Sequence, residues 1–352
     1  MADEPVFTIT YWGLTGTLPA PLRPQEVTDK LVRAVARLVE QDRLRDLRPG
    51  PDLERRVRAV VEQHLPLALR SSYGGNTTCV EVRTPDALLI LDCGSGFREL
   101  GADLERRWGQ AGTAAVRRAH VLVTHPHMDH TFATPYFVPY YNPANHFTIW
   151  GSQAVLDSLI AVLDPHSGLS KLYFPPTFDQ LQALRHFQPL EAGGEIEIGS
   201  TRLSTYALNH PGGCLAFRLE NAGRSFVFAT DHEQKEVPDH GLAEFARGAD
   251  LLYTEGQYTL TEYEGKVGPA GDAPMPRRGW GHSTVEACVA TAVAAGVGEL
   301  HVGHREPRRG DEELGRVDAL VRELARHECR RQGKAEDATR ALIPYEGQTF
   351  CL

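Results

Sequence analysis

Thr124-His125-Pro126-His127-Met128-Asp129-His130 directly follows the apolar run Val121-Leu122-Val123. That run has the length and β-branched content of a buried strand, so the sequence predicts a strand ending in three imidazoles and one carboxylate. Neutral imidazole nitrogens and carboxylate oxygens are ligands for zinc, manganese or iron, and two successive ligand pairs on one loop can serve two adjacent ions. A histidine-rich surface loop is the alternative, but such a density of ligands after a core strand favours a metal site.

Composition sets broad limits on the class of protein. The chain has 352 residues, of which 41% are hydrophobic, so it is long enough to bury a substantial core. Its net charge is −9, with a pI near 5.9. No global basic field exists to gather nucleic acid, so general nucleic-acid binding is not expected, and an anionic substrate must be held by a local patch or by metal.

Cysteine usage and apolar runs bear on the compartment. The six cysteines are scattered without paired spacing, and the N-terminus lacks a basic region followed by an apolar core. The richest apolar stretch, residues 289–297, is too short to span a bilayer. We therefore expect a cytoplasmic protein with reduced thiols and no membrane contact.

Residues 1–352 are interpreted as one domain with a helical insertion at about residues 22–70. Apolar residues follow helical spacing from Pro24 to about His64, with a break at Pro49-Gly50-Pro51, which predicts a helical hairpin. Its many charged residues are typical of a solvated surface, although such an insertion could also be a lid or the contact of a homodimer.

Further histidines and acids follow other predicted strands. These candidates are Asp92, His210, Asp231, Glu255, His282 and His304. In a β-sandwich the strand ends gather at one edge, so residues distant in sequence can converge there.

Two ions need about this number of ligands, and the candidates divide naturally between them. One ion could take His125, His127 and His210. The other could take Asp129, His130 and His304. Asp231 could bridge both and leave room for a shared hydroxide, an arrangement typical of a two-metal hydrolytic site.

The sequence resembles the metallo-β-lactamase superfamily, whose members carry the His-x-His-x-Asp-His motif. The match covers nearly the whole chain apart from the helical hairpin. It implies an α/β protein with the αββα fold, a sandwich of two mixed β-sheets flanked by helices. A narrower likeness is to the phosphodiesterase branch, which includes the tRNA 3′-processing endonuclease and cyclic-nucleotide phosphodiesterases. The motifs that carry it are Tyr11-Trp12-Gly13, Tyr73-Gly74-Gly75-Asn76-Thr77, Leu91-Asp92-Cys93-Gly94-Ser95-Gly96 and Gly279-Trp280-Gly281-His282-Ser283-Thr284.

This resemblance implies roles for particular residues. His282 would be the general acid or phosphate contact, with Glu255 as its orienting carboxylate, and Asp129 would join them in the catalytic set. The cofactor would be two divalent ions, most often Zn²⁺, with Mn²⁺ or Fe²⁺ as alternatives. Asp92 would support a ligand histidine from behind, although a carboxylate followed by glycines could also be just a tight turn.

The expected activity is hydrolysis of a small anionic phosphodiester of nucleotide type, cyclic ones included. Arg277, Arg278 and Arg305 could contact its phosphate, together with Arg308 and Arg309, or they could simply be solvated. Alternatives on the same fold are hydrolysis of a carbon ester, thioester or lactone, or trimming of RNA 3′ ends. A metal-binding scaffold without turnover is the alternative from another class.

Overall fold

The computed structural model describes residues 5–111, 117–164, 166 and 177–352. Within these residues the strands form two mixed sheets of seven strands each, packed face to face with helices on both outer sides. The predicted αββα sandwich is therefore confirmed.

The first sheet has the strand order β14-β1-β2-β3-β4-β5-β6, and the second has the order β13-β12-β11-β10-β9-β8-β7. The neighbours from β3 to β6 are parallel, as are those from β10 to β13, whereas the remaining pairs are antiparallel. The strands are β1 Thr8–Gly13, β2 Cys79–Arg83, β3 Leu88–Leu91, β4 Arg118–Val123, β5 His146–Gly151, β6 Leu184–Pro189, β7 Glu195–Ile198, β8 Thr201–Leu208, β9 Cys214–Asn221, β10 Arg224–Ala229, β11 Leu251–Glu255, β12 Glu299–Gly303, β13 Arg340–Leu342 and β14 Thr349–Cys351.

Ten α-helices are assigned among the described residues. They are α1 Pro24–Glu40, α2 Leu53–His64, α3 Leu67–Arg70, α4 Gly96–Ala111, α5 Met128–Thr131, α6 Gln153–Leu163, α7 His240–Phe245, α8 Leu260–Tyr263, α9 Val285–Ala295 and α10 Asp311–Arg331. None of these helices combines the length and the apolar character needed to cross a membrane.

Successive side chains of a strand point to opposite faces of its sheet, so each strand contributes both to the layer between the sheets and to a layer between sheet and helices. In β4, Leu122 packs between the two sheets, whereas Val121 and Val123 face the layer formed with α4 and α6. In β10, Phe226 points into the layer between the sheets, and Val227 faces α9 and α10. Both strands are covered on two sides, which explains why they read as continuous apolar runs.

The two helices of the predicted hairpin, α1 and α2, lie outside this core. Leu38 is buried in α1, but an apolar stripe along that helix, which includes Leu31 and Val35, is exposed. The hairpin is fixed to the sandwich by an ion pair from Lys30 to the buried Asp311 at the start of α10. The predicted hairpin thus presents an apolar face that the described part of the chain does not cover.

Candidate metal centre

The candidate ligands come from the ends of strands in both sheets. Asp92 follows β3, Asp231 follows β10 and His304 follows β12, and all three have positive φ angles, of 63°, 34° and 46°. This left-handed backbone costs about 1–3 kcal/mol for a residue other than glycine and is retained mainly where function requires it. These three turns direct the side chains toward the edge of the sandwich at which the three strands end.

A first group of four side chains contains His125, His127, His210 and Asp231. One ligand atom from each lies within 4.8 Å of the others. His210 Nε2 is 3.0 Å from His127 Nδ1, and His125 Nε2 is 3.4 Å from Asp231 Oδ2.

A second group contains Asp129, His130 and His304, with the same spacing limit of 4.8 Å. His304 Nε2 is 3.1 Å from Asp129 Oδ2 and 3.2 Å from Asp231 Oδ1. Asp231 therefore turns Oδ1 toward this group and Oδ2 toward the first. A carboxylate that divides its two oxygens in this way is placed to bridge two ions.

Hydrogen bonds to the ring nitrogen that faces away from the site orient two of the candidate ligand histidines. The Nδ1–H of His130 donates to Asp92 Oδ2 at 2.8 Å, and Asp92 also accepts from the backbone N–H of Thr124 at 2.8 Å. His210 Nδ1 donates to the carbonyl oxygen of Gly281 at 2.8 Å. These bonds orient each imidazole so that its Nε2 faces the site.

The donor set fits divalent cations. His125 Nε2 is buried without a hydrogen-bond partner, and the Nε2 atoms of His130 and His304 are only 3.3 Å apart. Burial lowers the pKa of His125 and His127, so these imidazoles are neutral and their lone pairs are free to bind metal. Imidazole nitrogens and carboxylates that converge in this way suit two divalent cations of the Zn²⁺ type.

His282 lies beside both groups. Its ring stacks on that of His304 at a centroid distance of 5.0 Å, and its Nδ1 is 3.5 Å from Glu255 Oε1. That distance is within ion-pair range, and the same Oε1 accepts the backbone N–H of Ser283 at 2.7 Å. Burial opposes the charged imidazole, but the carboxylates of Glu255, Asp231 and Asp129 together outweigh it and raise the pKa of His282 to about 9. A donor atom of His282 also lies within 4.8 Å of those of Asp231 and His304, so the structure brings it within reach of a ligand role as well.

The arginines differ from the sequence expectation. Arg305 is buried, and its guanidinium donates to the carbonyl oxygens of Tyr73 and Gly74, so it links its own loop to the segment at residues 73–74. Arg309 is buried against Glu262, and Arg308 is paired with Asp272 and Glu306.

Two arginines remain near the site. Arg278 is exposed. Arg277 is buried, its guanidinium lies 4.6 Å from the Trp280 ring centroid, and its Nε has no hydrogen-bond partner. Among the described residues, Arg277 has no carboxylate within ion-pair distance.

Glu233 is a site residue that the sequence reasoning missed. Its carboxylate accepts the backbone N–H groups of Gly279 at 2.7 Å and Gly281 at 2.8 Å, together with the hydroxyl of Tyr263 at 2.5 Å. These bonds hold the loop whose carbonyl supports His210. The available signal was its position two residues after Asp231, where a carboxylate can reach the same edge.

The family model described as "Beta-lactamase superfamily domain" matches residues 88–304, which is more than half of the chain. The chain belongs to this superfamily, as the motif at His125–His130 indicates.

Curated relatives give a narrower comparison. The chain is 30% identical to Ribonuclease TTHA0252 of Thermus thermophilus over 179 residues, which are 48% of this chain and 38% of that protein. It is 24% identical to Ribonuclease Z of Bradyrhizobium diazoefficiens over 266 residues, covering 64% of this chain and 82% of the relative. The match to the Thermus protein thus spans well under half of that relative's length.

A solved structure supports the fold over the full length. The metallo-beta-lactamase fold protein YhfI from Bacillus subtilis aligns with a TM-score of 0.58 at 15% identity, covering 99% of each chain. At this identity the likeness concerns the fold alone.

Proposed function

We propose that this protein is a dinuclear metal-dependent phosphodiesterase that cleaves a small nucleotide-type phosphodiester, cyclic ones included. The observation that carries the proposal is the position of Asp231, whose two carboxylate oxygens face two separate groups of ligands, with His282 beside both. When bound, two divalent cations would supply Lewis acidity, activating water and neutralising the charge that builds on a phosphoryl group.

His282 is the proton donor in this proposal. The neighbouring Glu255 carboxylate raises the pKa of His282, which favours the protonated imidazole at neutral pH. From the rim of the site it would give its proton to the oxygen of the leaving alcohol. Glu255 stabilises the imidazolium and fixes the backbone of Ser283, the next residue, and so orients the ring.

Substrate size follows from the charge of the chain. With a net charge of −9, the protein offers no extended basic surface for a long polyanion, so we assign it a small substrate. Of the arginines near the site, we favour Arg277 and Arg278 for phosphate contacts, because two nitrogens of the Arg305 guanidinium donate to the carbonyl oxygens of Tyr73 and Gly74.

RNA 3′-end cleavage is the second candidate, because both curated relatives are named ribonucleases. A short RNA with a 3′ extension, assayed beside a cyclic nucleotide, distinguishes the two. Faster cleavage of the RNA would replace the first candidate by the second.

We propose Zn²⁺ as the resident ion and the cytoplasm as the location. Imidazole and carboxylate donors in two compact groups suit zinc, with Mn²⁺ and Fe²⁺ as alternatives. The six cysteines are unpaired thiols, which is typical of a reducing compartment.

We further propose a homodimer formed through α1. The exposed apolar stripe that includes Leu31 and Val35 would be covered by the same stripe of a second copy. The first turns of α1 carry Glu26 and Asp29 and its last turn carries Arg37, so antiparallel pairing brings opposite charges together.

The decisive experiment offers the purified protein bis(p-nitrophenyl) phosphate, nitrocefin and a lactone, each with and without a chelator. We expect turnover of the phosphodiester alone, lost with the chelator and restored by added Zn²⁺. Cleavage of the carbon substrates only would refute the phosphodiesterase assignment. Metal binding without any turnover would leave the scaffold alternative.

A further inference from the structure

Trp280 is a large aromatic side chain that the fold leaves uncovered beside the candidate site. It is 48% exposed, although it is only two residues from His282 and one from Gly281, whose carbonyl supports His210. Since successive Cα atoms are about 3.8 Å apart, the Cα of Trp280 lies within about 7.6 Å of that of His282. The indole is thus carried by the same short loop that carries the proposed proton donor.

The backbone of this loop is pinned on both sides of the tryptophan. Gly279 and Gly281 donate their N–H groups to Glu233, and the N–H of Trp280 donates to the carbonyl oxygen of Arg277 at 3.1 Å. Gly279 and Gly281 have φ angles of +85° and +87°, a conformation that side chains disfavour. A Cβ at Gly281 would also lie 2.3 Å from His210 Nδ1. The exposure of Trp280 is therefore set by a fixed backbone.

One face of the indole is supported by a cation. The Arg277 guanidinium carbon lies 4.6 Å from the Trp280 ring centroid and 5.7 Å from that of Tyr258. Both distances fall within the range of cation–π attraction, which favours Arg277 as a rigid backing for the indole. The exposed surface of the ring is left for an external aromatic partner.

We propose that Trp280 is the stacking platform for the base of a nucleotide substrate. This proposal rests on the proposed phosphodiesterase function, since the phosphate must reach the ligand groups while the base lies on the indole. A flat, exposed aromatic ring next to a site for anions matches a substrate that joins a phosphodiester to a heteroaromatic base. Stacking of a base on an aromatic side chain contributes about 5- to 150-fold to affinity.

The test uses two esters with the same p-nitrophenyl leaving group, thymidine 5′-(p-nitrophenyl phosphate) and methyl p-nitrophenyl phosphate. Trp280→Ala should lower kcat/KM for the thymidine ester at least about fivefold more than for the methyl ester, and Trp280→Phe should restore most of the loss. Equal losses on the two esters, or no loss on either, would overturn the proposal.

A binding measurement separates this proposal from the function on which it rests. Adenosine monophosphate should quench the tryptophan fluorescence of the metal-loaded protein, whereas ribose 5-phosphate should not, and the quenching should disappear in Trp280→Phe. Quenching that persists in this variant would overturn the platform even if phosphodiesters are cleaved. If neither ester is cleaved but quenching depends on Trp280, the phosphodiesterase assignment fails and the base-binding surface stands.

Discussion

Replacing His282 by alanine separates a proton donor from a metal ligand. The variant removes the His282 imidazole but leaves the seven side chains of the two ligand groups in place. Loss of a positioned general acid costs about 10²- to 10⁴-fold in rate. We expect the lower end, about a hundredfold or about 2.7 kcal/mol of transition-state stabilisation, because the side chain is 13% exposed and water can reach the emptied position.

The assay compares two leaving groups. A cyclic nucleotide releases an alkoxide that needs a proton, so His282→Ala should lower its kcat/KM by about a hundredfold. A p-nitrophenyl ester releases a stable anion and should lose about tenfold or less. The amount of bound metal, measured by inductively coupled plasma mass spectrometry, should stay unchanged.

His146→Ala is the matched control. His146 is exposed at the first residue of β5, paired with Arg118 at the opposite end of β4 from the ligand cluster. Six strand residues separate the two ends by about 20 Å. This variant should match the parent in both assays.

Loss of metal from His282→Ala alone would make His282 a ligand, and an equal loss with both leaving groups would make it a phosphate contact. Either result would refute the general-acid assignment.

Three further variants, one of them with a glycine control, test the supports of the site and the exposed face of α1. Gly16→Ala should lower metal affinity, measured by competition with a zinc chelator, because its Cβ would lie 2.5 Å from the ring of His304. Gly109→Ala is its control: its Cβ would have nothing within 4 Å, so this variant should only raise the melting temperature slightly, measured in a thermal melt. Asp92→Asn should weaken metal binding about 10- to 100-fold in the same competition, since it removes the anionic acceptor behind a ligand histidine, and unchanged affinity would show that the carboxylate only shapes the turn. Leu31→Glu should halve the mass found by light scattering on a sizing column while leaving turnover intact, and a parent that is already monomeric would contradict the dimer.

Much of the fold follows from local patterns. The continuous apolar run of β4 and the alternation within the sandwich strands predict buried strands, and the helical spacing of residues 24–64 predicts the hairpin. The candidate ligands could also be gathered from the sequence, because each one follows a predicted strand and strand ends share an edge. In the structure Asp231 contacts both His304 and His130, and Asp92 contacts the other ring nitrogen of His130.

The arginines could not be predicted in this way. Whether Arg305 contacts a phosphate or a carbonyl depends on its neighbours, and those are Tyr73 and Gly74, more than 230 positions away in the chain. A cluster of positive charges in the sequence carries no information about such partners. The contacts of a buried arginine are set by the folded structure, because a buried guanidinium must donate its hydrogen bonds to the acceptors that surround it.

The loop at Gly279–Gly281 joins two parts of the site that are separate in the sequence. Glu233 holds its backbone, its carbonyl orients His210, and the next residue is His282. A shift of this loop therefore changes a metal ligand, the proposed proton donor and Trp280 together. Because Glu233 fixes the backbone that carries all three, we expect metal binding and substrate orientation to change together when this loop moves.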